Sequence, residues 1–105
     1  MKIAIPTNDQ IFISKSVDLA EKYKVITYEL GKIIAEEYRI IDTQSIKSSR
    51  KVIEDCHYLV IPEFSNKLEF SNIEIVETTE KILTNIEMGL VNRTILSCSN
   101  YTCGP

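Results

Sequence analysis

The chain of 105 residues has no tryptophan, one histidine, and only three each of cysteine, glycine and proline. Each shortage excludes a kind of chemistry. A single histidine, His57, rules out a multi-histidine metal centre. The few glycines form no G-x-x-x-x-G-K-[ST] or G-x-G-x-x-G phosphate loop, and no G-x-S-x-G nucleophile turn. There is no excess of basic residues, since 12 Lys and Arg face 15 Asp and Glu for a net charge of −3. The electrostatic footprint of a nucleic-acid or acidic-lipid binder is therefore missing. No apolar run approaches the roughly 20 residues of a transmembrane helix. The first run, Lys2 to Ile5, is broken by Pro6, well short of the roughly 7–15 residues of a signal-peptide core. A cytoplasmic location with reduced thiols follows as the expectation. Cys56, Cys98 and Cys103 are odd in number and show no disulfide-framework spacing.

What is present is an ordinary globular composition, with 44% hydrophobic and 26% charged residues. The length suits one domain. Residues 1–96 read as a single α/β domain and residues 97–105 as a short cysteine-containing tail.

Residues 2–5 read as a buried strand stopped by the turn formers Pro6-Thr7-Asn8-Asp9. Residues 16–22 can form a short helix capped by Ser16. Residues 23–30 and 33–41 are rich in β-branched and aromatic side chains, which predicts an antiparallel hairpin. Gly31-Lys32 between them suits a II′ turn, with glycine at the first central position. Alternation places Ile34, Glu36, Tyr38 and Ile40 on one face of the second strand, and Ile33, Ala35, Glu37, Arg39 and Ile41 on the other. Residues 43–55 change to a helical period through Ile46, Val52, Ile53 and Cys56. Residues 58–61 form a continuous apolar run ended by Pro62, as a central strand does. Residues 63–71 suggest another short helix and residues 73–77 another strand. Thr78-Thr79 can cap a helix carrying Ile82, Leu83, Ile86 and Leu90. Residues 91–96 read as a last strand or an extended tail. Strands alternating with helices in the second half imply parallel pairing, so the sheet is expected to be mixed, with helices on both faces.

Three stretches carry a family resemblance: Met1-Lys2-Ile3-Ala4-Ile5-Pro6-Thr7-Asn8-Asp9, the hairpin segment Tyr28-Glu29-Leu30-Gly31-Lys32-Ile33, and Asp55-Cys56-His57-Tyr58-Leu59-Val60-Ile61. Over residues 1–90 the chain resembles the dinitrogenase iron-molybdenum cofactor biosynthesis family, which includes NifX-type carriers and the C-terminal domain of NifB-type proteins. The resemblance implies a three-layer α/β/α fold of ribonuclease-H-like type with a five-stranded mixed sheet. It also implies a role in binding or carrying iron–sulfur or iron–molybdenum cluster precursors, with a cofactor-biosynthesis or acceptor protein as partner.

Two places depart from the family pattern. Where members commonly carry a His-Phe-Gly-like stretch, this chain has Ser16, Val17 and Asp18, and a hydroxyl is a poor ligand for iron. Where members commonly have a glycine-rich turn, this chain has Pro62-Glu63-Phe64-Ser65, which disfavours an anion held by backbone amides.

Cys98 and Cys103 form a C-x4-C pair whose thiolates suit iron, zinc or an iron–sulfur cluster. Two ligands do not complete a site, so the others would come from Cys56, His57 or a second chain. Cys56 reads first as a small core residue and His57 as a structural histidine where a strand begins. Nuclease chemistry is disfavoured, because residues 2–5 and 58–61 hold none of the carboxylates that paired cations need. Asp9, Asp18, Asp42 and Asp55 fall at turns and caps instead.

The leading expectation is a small non-enzymatic domain that binds or carries an iron–sulfur or iron–molybdenum type cofactor or its precursor. Cys98 and Cys103 would be its metal ligands, with Ser14 and Ser16 lining the loop where the family places its histidine. One alternative is a degenerate member acting as a protein-interaction module without cofactor. A weaker one is a thiol redox protein using the same cysteines. The edge of the hairpin could pair with a second copy, which leaves a homodimer open.

Overall fold

A computed structural model of the chain describes residues 1–15, 17, 20–41, 46–62 and 73–91. They contain β1 (Lys2–Thr7), β2 (Lys22–Glu29), β3 (Lys32–Ile40), α1 (Ile46–Val52), β4 (Tyr58–Pro62), β5 (Glu74–Thr78) and α2 (Leu83–Val91). The strands form one five-stranded sheet in the order β3-β2-β1-β4-β5. The β3–β2 and β2–β1 pairs are antiparallel, while β1–β4 and β4–β5 are parallel. The sheet is mixed as expected, and its order is that of the ribonuclease-H-like motif.

Two hydrophobic cores sandwich the sheet. On one face Ala4, Tyr23, Val25, Leu59 and Ile61 pack with Val17, Ile53 and Cys56, and Val52 at the end of α1 packs against them. On the other face Ile3, Ile5, Ile26, Val60 and Val76 meet Leu83, Ile86 and Leu90 of α2. The spacing of those three α2 residues places them on one helical face. The two helices therefore cover opposite faces, giving the α/β/α layers.

β1 is buried from Ile3 to Thr7, because it lies between β2 and β4 with a core on either side. Pro6 is tolerated in this central strand for a local reason. Its carbonyl accepts from the Ser14 N–H at 2.8 Å, so its missing N–H also points away from β2, and the parallel pairs with β4 stop at Ala4. A proline there interrupts no ladder hydrogen bond.

The hairpin is present, but its turn differs from expectation. Glu29 pairs with Lys32, so the turn residues are Leu30 and Gly31, with φ of 52° and 78°. Positive φ at both central positions is the I′ pattern, whose backbone twist matches that of the flanking strands. A β-bulge between Thr27 and Tyr28 pairs Ile33 with Tyr28 and Ala35 with Thr27, leaving Ile34 as the extra residue. The expected alternation therefore breaks there: Ile33 turns to the α2 side, where it packs against that core beside Tyr28.

Other boundaries also shift. Lys22 begins β2 rather than ending a helix. α1 is shorter than the predicted residues 43–55, because residues 53–55 form a turn. Thr78 does not cap α2, since its hydroxyl accepts from Glu80 N at 3.0 Å and the helix starts at Leu83. The helix predicted over residues 63–71, and the strand or tail at 92–96, lie outside the described residues.

Leu30 is 99% exposed and holds a left-handed conformation that costs an ordinary residue about 1–2 kcal/mol. Leu30→Asn is expected to stabilise the fold by about 1 kcal/mol in urea unfolding, because Asn-Gly is the preferred I′ pair. Leu30→Val should destabilise it, since β-branched residues resist positive φ most.

Candidate functional site

In open α/β sheets, ligands bind outside the carboxyl ends of strands at the point where strand order reverses. Here that point lies between β1 and β4, since the chain leaves β1 toward β2 on one side and later returns to place β4 on the other. The segment after β1 frames a cleft of about 250 Å³ lined by Asn8, Asp9, Phe12, Ile13, Ser14 and Lys15.

Short-range hydrogen bonds fix this loop. One carboxylate oxygen of Asp9 accepts from the N–H groups of Ile11 (2.9 Å) and Phe12 (2.8 Å). This is the turn chemistry to which aspartate is suited, and the Phe12 and Ile11 bonds hold its carboxyl below the usual range. The buried Thr7 hydroxyl donates to the Phe12 carbonyl at 2.6 Å and accepts from Gln10 N at 3.0 Å. Between them Gln10 is held at a φ of 67°. Asn8 accepts from Glu21 N at 2.8 Å, tying the loop to the start of β2.

Long-range bonds then dock the loop on α2. Ile13 N donates to Lys81 O, and Leu83 N donates to Ile11 O, both at 2.8 Å. Thr7 bridges Ile13, and Phe12 bridges Ile82. Exposed Phe12 adds an apolar side chain to the cleft wall, and its bridge partner Ile82 is exposed as well.

Of the residues singled out from sequence, Ser14 is buried in the wall of this cleft. Ser16, Cys98 and Cys103 lie outside the described residues. Cys56 and His57 sit at the other end of the sheet. His57 N donates to Lys2 O at 2.8 Å, its ring Nδ1 accepts from Lys2 N at 3.0 Å, and its carbonyl accepts from Glu74 N at 3.0 Å. It thus joins the beginnings of β1 and β5, as a structural histidine does. Cys56 is buried, and burial pushes its thiol up to about 11, which disfavours the thiolate that a metal needs. β1 separates this pair from the Ser14 cleft by roughly 17 Å, at about 3.3 Å per residue. Among the described residues, no group of three His, Cys, Asp or Glu side chains is placed to hold a metal ion.

Sequence reasoning read Asn8 and Asp9 only as turn formers and passed over Lys15. The turn-forming run itself was the available signal, because it follows a buried first strand.

Two ion-pair clusters brace the sheet away from the cleft. Arg39 grips both carboxylate oxygens of Asp55 at 2.5 and 3.0 Å, and Lys2 reaches the same carboxylate at 3.0 Å. On the α2 side, Lys24 bonds Glu87 at 2.6 Å and Glu36 at 2.9 Å. Burial opposes the Lys24 charge, but the two carboxylates outweigh it and raise its pKa to about 12. Glu87 is pushed up by burial and by Glu36 beside it.

No protein-family model matches the chain, and no curated protein matches it. Solved structures do. The crystal structure of PH0822 aligns with a TM-score of 0.76 at 14% identity, covering 89% of this chain and 92% of that one. A crystal structure of a "putative dinitrogenase" from Methanocaldococcus jannaschii gives 0.69 at 15% identity, covering 96% and 97%. An NMR structure of a protein of the same description, from Methanococcus jannaschii, gives 0.70 at 17% identity, covering 96% and 95%. At such identities the likeness is one of fold. Among the described residues, no helix is long and apolar enough to cross a membrane.

The Asp55 carboxyl is held well below the usual range, chiefly by hydrogen bonds from Arg39 and then Lys2, against the opposing effect of burial. A depressed native pKa contributes stability that is complete above an ordinary aspartate pKa of about 4 and is lost as pH falls toward the native value. Asp55→Asn should therefore lower the thermal midpoint at pH 7, with the difference from the unmodified protein shrinking steadily below about pH 4.

Proposed function

We propose that this chain is a small non-catalytic domain that binds or carries an iron–sulfur or iron–molybdenum type cluster, or a precursor of one, at the cleft after β1. The observation that carries this reading is the cleft's position. It opens at the carboxyl end of β1 beside the switch in strand order, with a wall already fixed by Thr7 and Asp9. The shared fold with structures described as "putative dinitrogenase" supports the same reading.

The described donors of the cleft are oxygens and an ammonium, from Asn8, Asp9, Ser14 and Lys15. Asp9 already spends one oxygen on the loop backbone. Iron and sulfide clusters are held best by thiolates. In this reading Cys98 and Cys103 supply the metal ligands, while Ser14 and Ser16 line the docking loop. The cluster is cargo for an acceptor or biosynthesis protein in the cytoplasm. The alternative of a cofactor-free interaction module draws on the same oxygen-rich donor set, which has no soft ligand of its own.

Anaerobic reconstitution with iron and sulfide separates the two. The cluster reading expects a visible charge-transfer band and bound iron, both lost in Cys98→Ser/Cys103→Ser with the fold intact by circular dichroism. A colourless, iron-free product from the unmodified protein contradicts it. A partner complex that survives both serine substitutions would establish the interaction module instead.

A further inference from the structure

Among the described residues β3 is one of the two edges of the sheet, and its outer residues are more apolar than a solvent-facing edge requires. Ile34 is 59%, Tyr38 41% and Ile40 72% exposed. Natural edge strands are commonly protected by proline, by charge or by a strong twist. β3 contains no proline, and its single bulge lies near the turn, leaving Ala35 to Ile40 in regular register with β2. Three of its four charged side chains are ion-paired within the chain. Glu36 is paired with Lys24, and Arg39 with Glu37 and Asp55.

We infer that β3 pairs antiparallel with β3 of a second copy about a two-fold axis at Glu37, joining two five-stranded sheets into one of ten. Antiparallel pairing about such an axis keeps the α2 side of one sheet continuous with the α2 side of the other. On that side it sets Ile34 opposite Ile40 of the second copy, twice over. It also sets Tyr38 opposite Glu36, whose charge Lys24 holds. On the α1 side, Glu37 meets Glu37 across the axis, and each Arg39 lies diagonally next to the other copy's Glu37. Diagonal neighbours in a sheet are within reach of long side chains, so the two like charges are flanked by two guanidinium groups. Shifting the axis to Glu36 loses this. Lys32 would then face Ile40, and Glu36 would face Glu36 with two further carboxylates, one Glu87 in each copy, close by. An axis at Tyr38 would set Glu37 opposite Arg39 but would place Ile40 opposite Glu36. The two Ile34–Ile40 pairs therefore favour the axis at Glu37, and with the flanking guanidinium groups they make a second copy the occupant. The inference does not depend on the cleft or on the cluster reading.

Sedimentation velocity of the full chain over a roughly hundredfold concentration range should show reversible dimerisation by mass action. Ile34→Lys/Ile40→Lys, at two exposed positions that leave both cores untouched, should be monomeric with unchanged circular dichroism. Directly opposed residues in an antiparallel pair have Cα atoms about 4.5–5.5 Å apart, within disulfide reach. Glu37→Cys in a Cys98→Ser/Cys103→Ser background should therefore cross-link under mild oxidation, and Glu36→Cys far less. A protein that stays monomeric throughout, as it would if another segment or a different protein took the edge, overturns the inference. So does a dimer that survives the lysine pair, or one that cross-links through Glu36→Cys in preference.

Discussion

β1 is hydrogen-bonded along both edges, antiparallel to β2 and parallel to β4, and is buried from Ile3 to Thr7. This double pairing is the constraint on which the remaining structure depends. Ile3 and Ile5 point to the α2 core while Ala4 points to the α1 core. A one-residue slip would reverse all three and set the larger pair against the α1 side. Because β1 is so firmly placed, whatever follows it leaves from a fixed point at the reversal of strand order.

The loop after β1 inherits that rigidity and adds its own. Thr7 and Asp9 satisfy the loop's turning backbone, and the Ile13–Lys81 and Leu83–Ile11 bonds tie it to the start of α2. The cleft wall therefore joins three parts of the chain: the end of β1, the start of β2 through Asn8, and the approach to α2. The opposite end of the sheet is braced differently, by His57 on Lys2 and Glu74 and by the Arg39–Asp55–Lys2 cluster. Cys56 and His57 thus act in the scaffold at one end, while the oxygen-rich cleft opens at the other.

Much of this was legible in the sequence because it was written in local patterns. The continuous apolar runs of β1 and β4, the alternating hairpin and the 3.6-residue period of α2 each carry their own signal. What escaped depended on partners distant in the chain. The bulge at Ile34 exists so that Ile33 can join Tyr28 against the α2 core, which no local alternation reports. The turn was misplaced by one residue because leucine occupies a position where asparagine or glycine would have announced a I′ turn. Asp9 was recognised as a turn former, but its place in a cleft wall rests on backbone bonds to Lys81 and Leu83, far along the chain. The positions proposed for ligands were chosen by residue chemistry. Of these, Ser14 alone falls within the described residues, buried beside the loop that the fold holds in place.

The central structural claim is that the segment after β1 is a preformed wall and not a loose connection. Native-state amide hydrogen exchange at Ile13 and Ser14 tests it most directly, since these amides hold the loop to Lys81 and Pro6. If the wall is preformed, both exchange slowly, together with sheet amides such as Ile26, and Asp9→Ala accelerates them while leaving the sheet protected. Exchange at the rate of an open peptide in the unmodified protein would contradict the account.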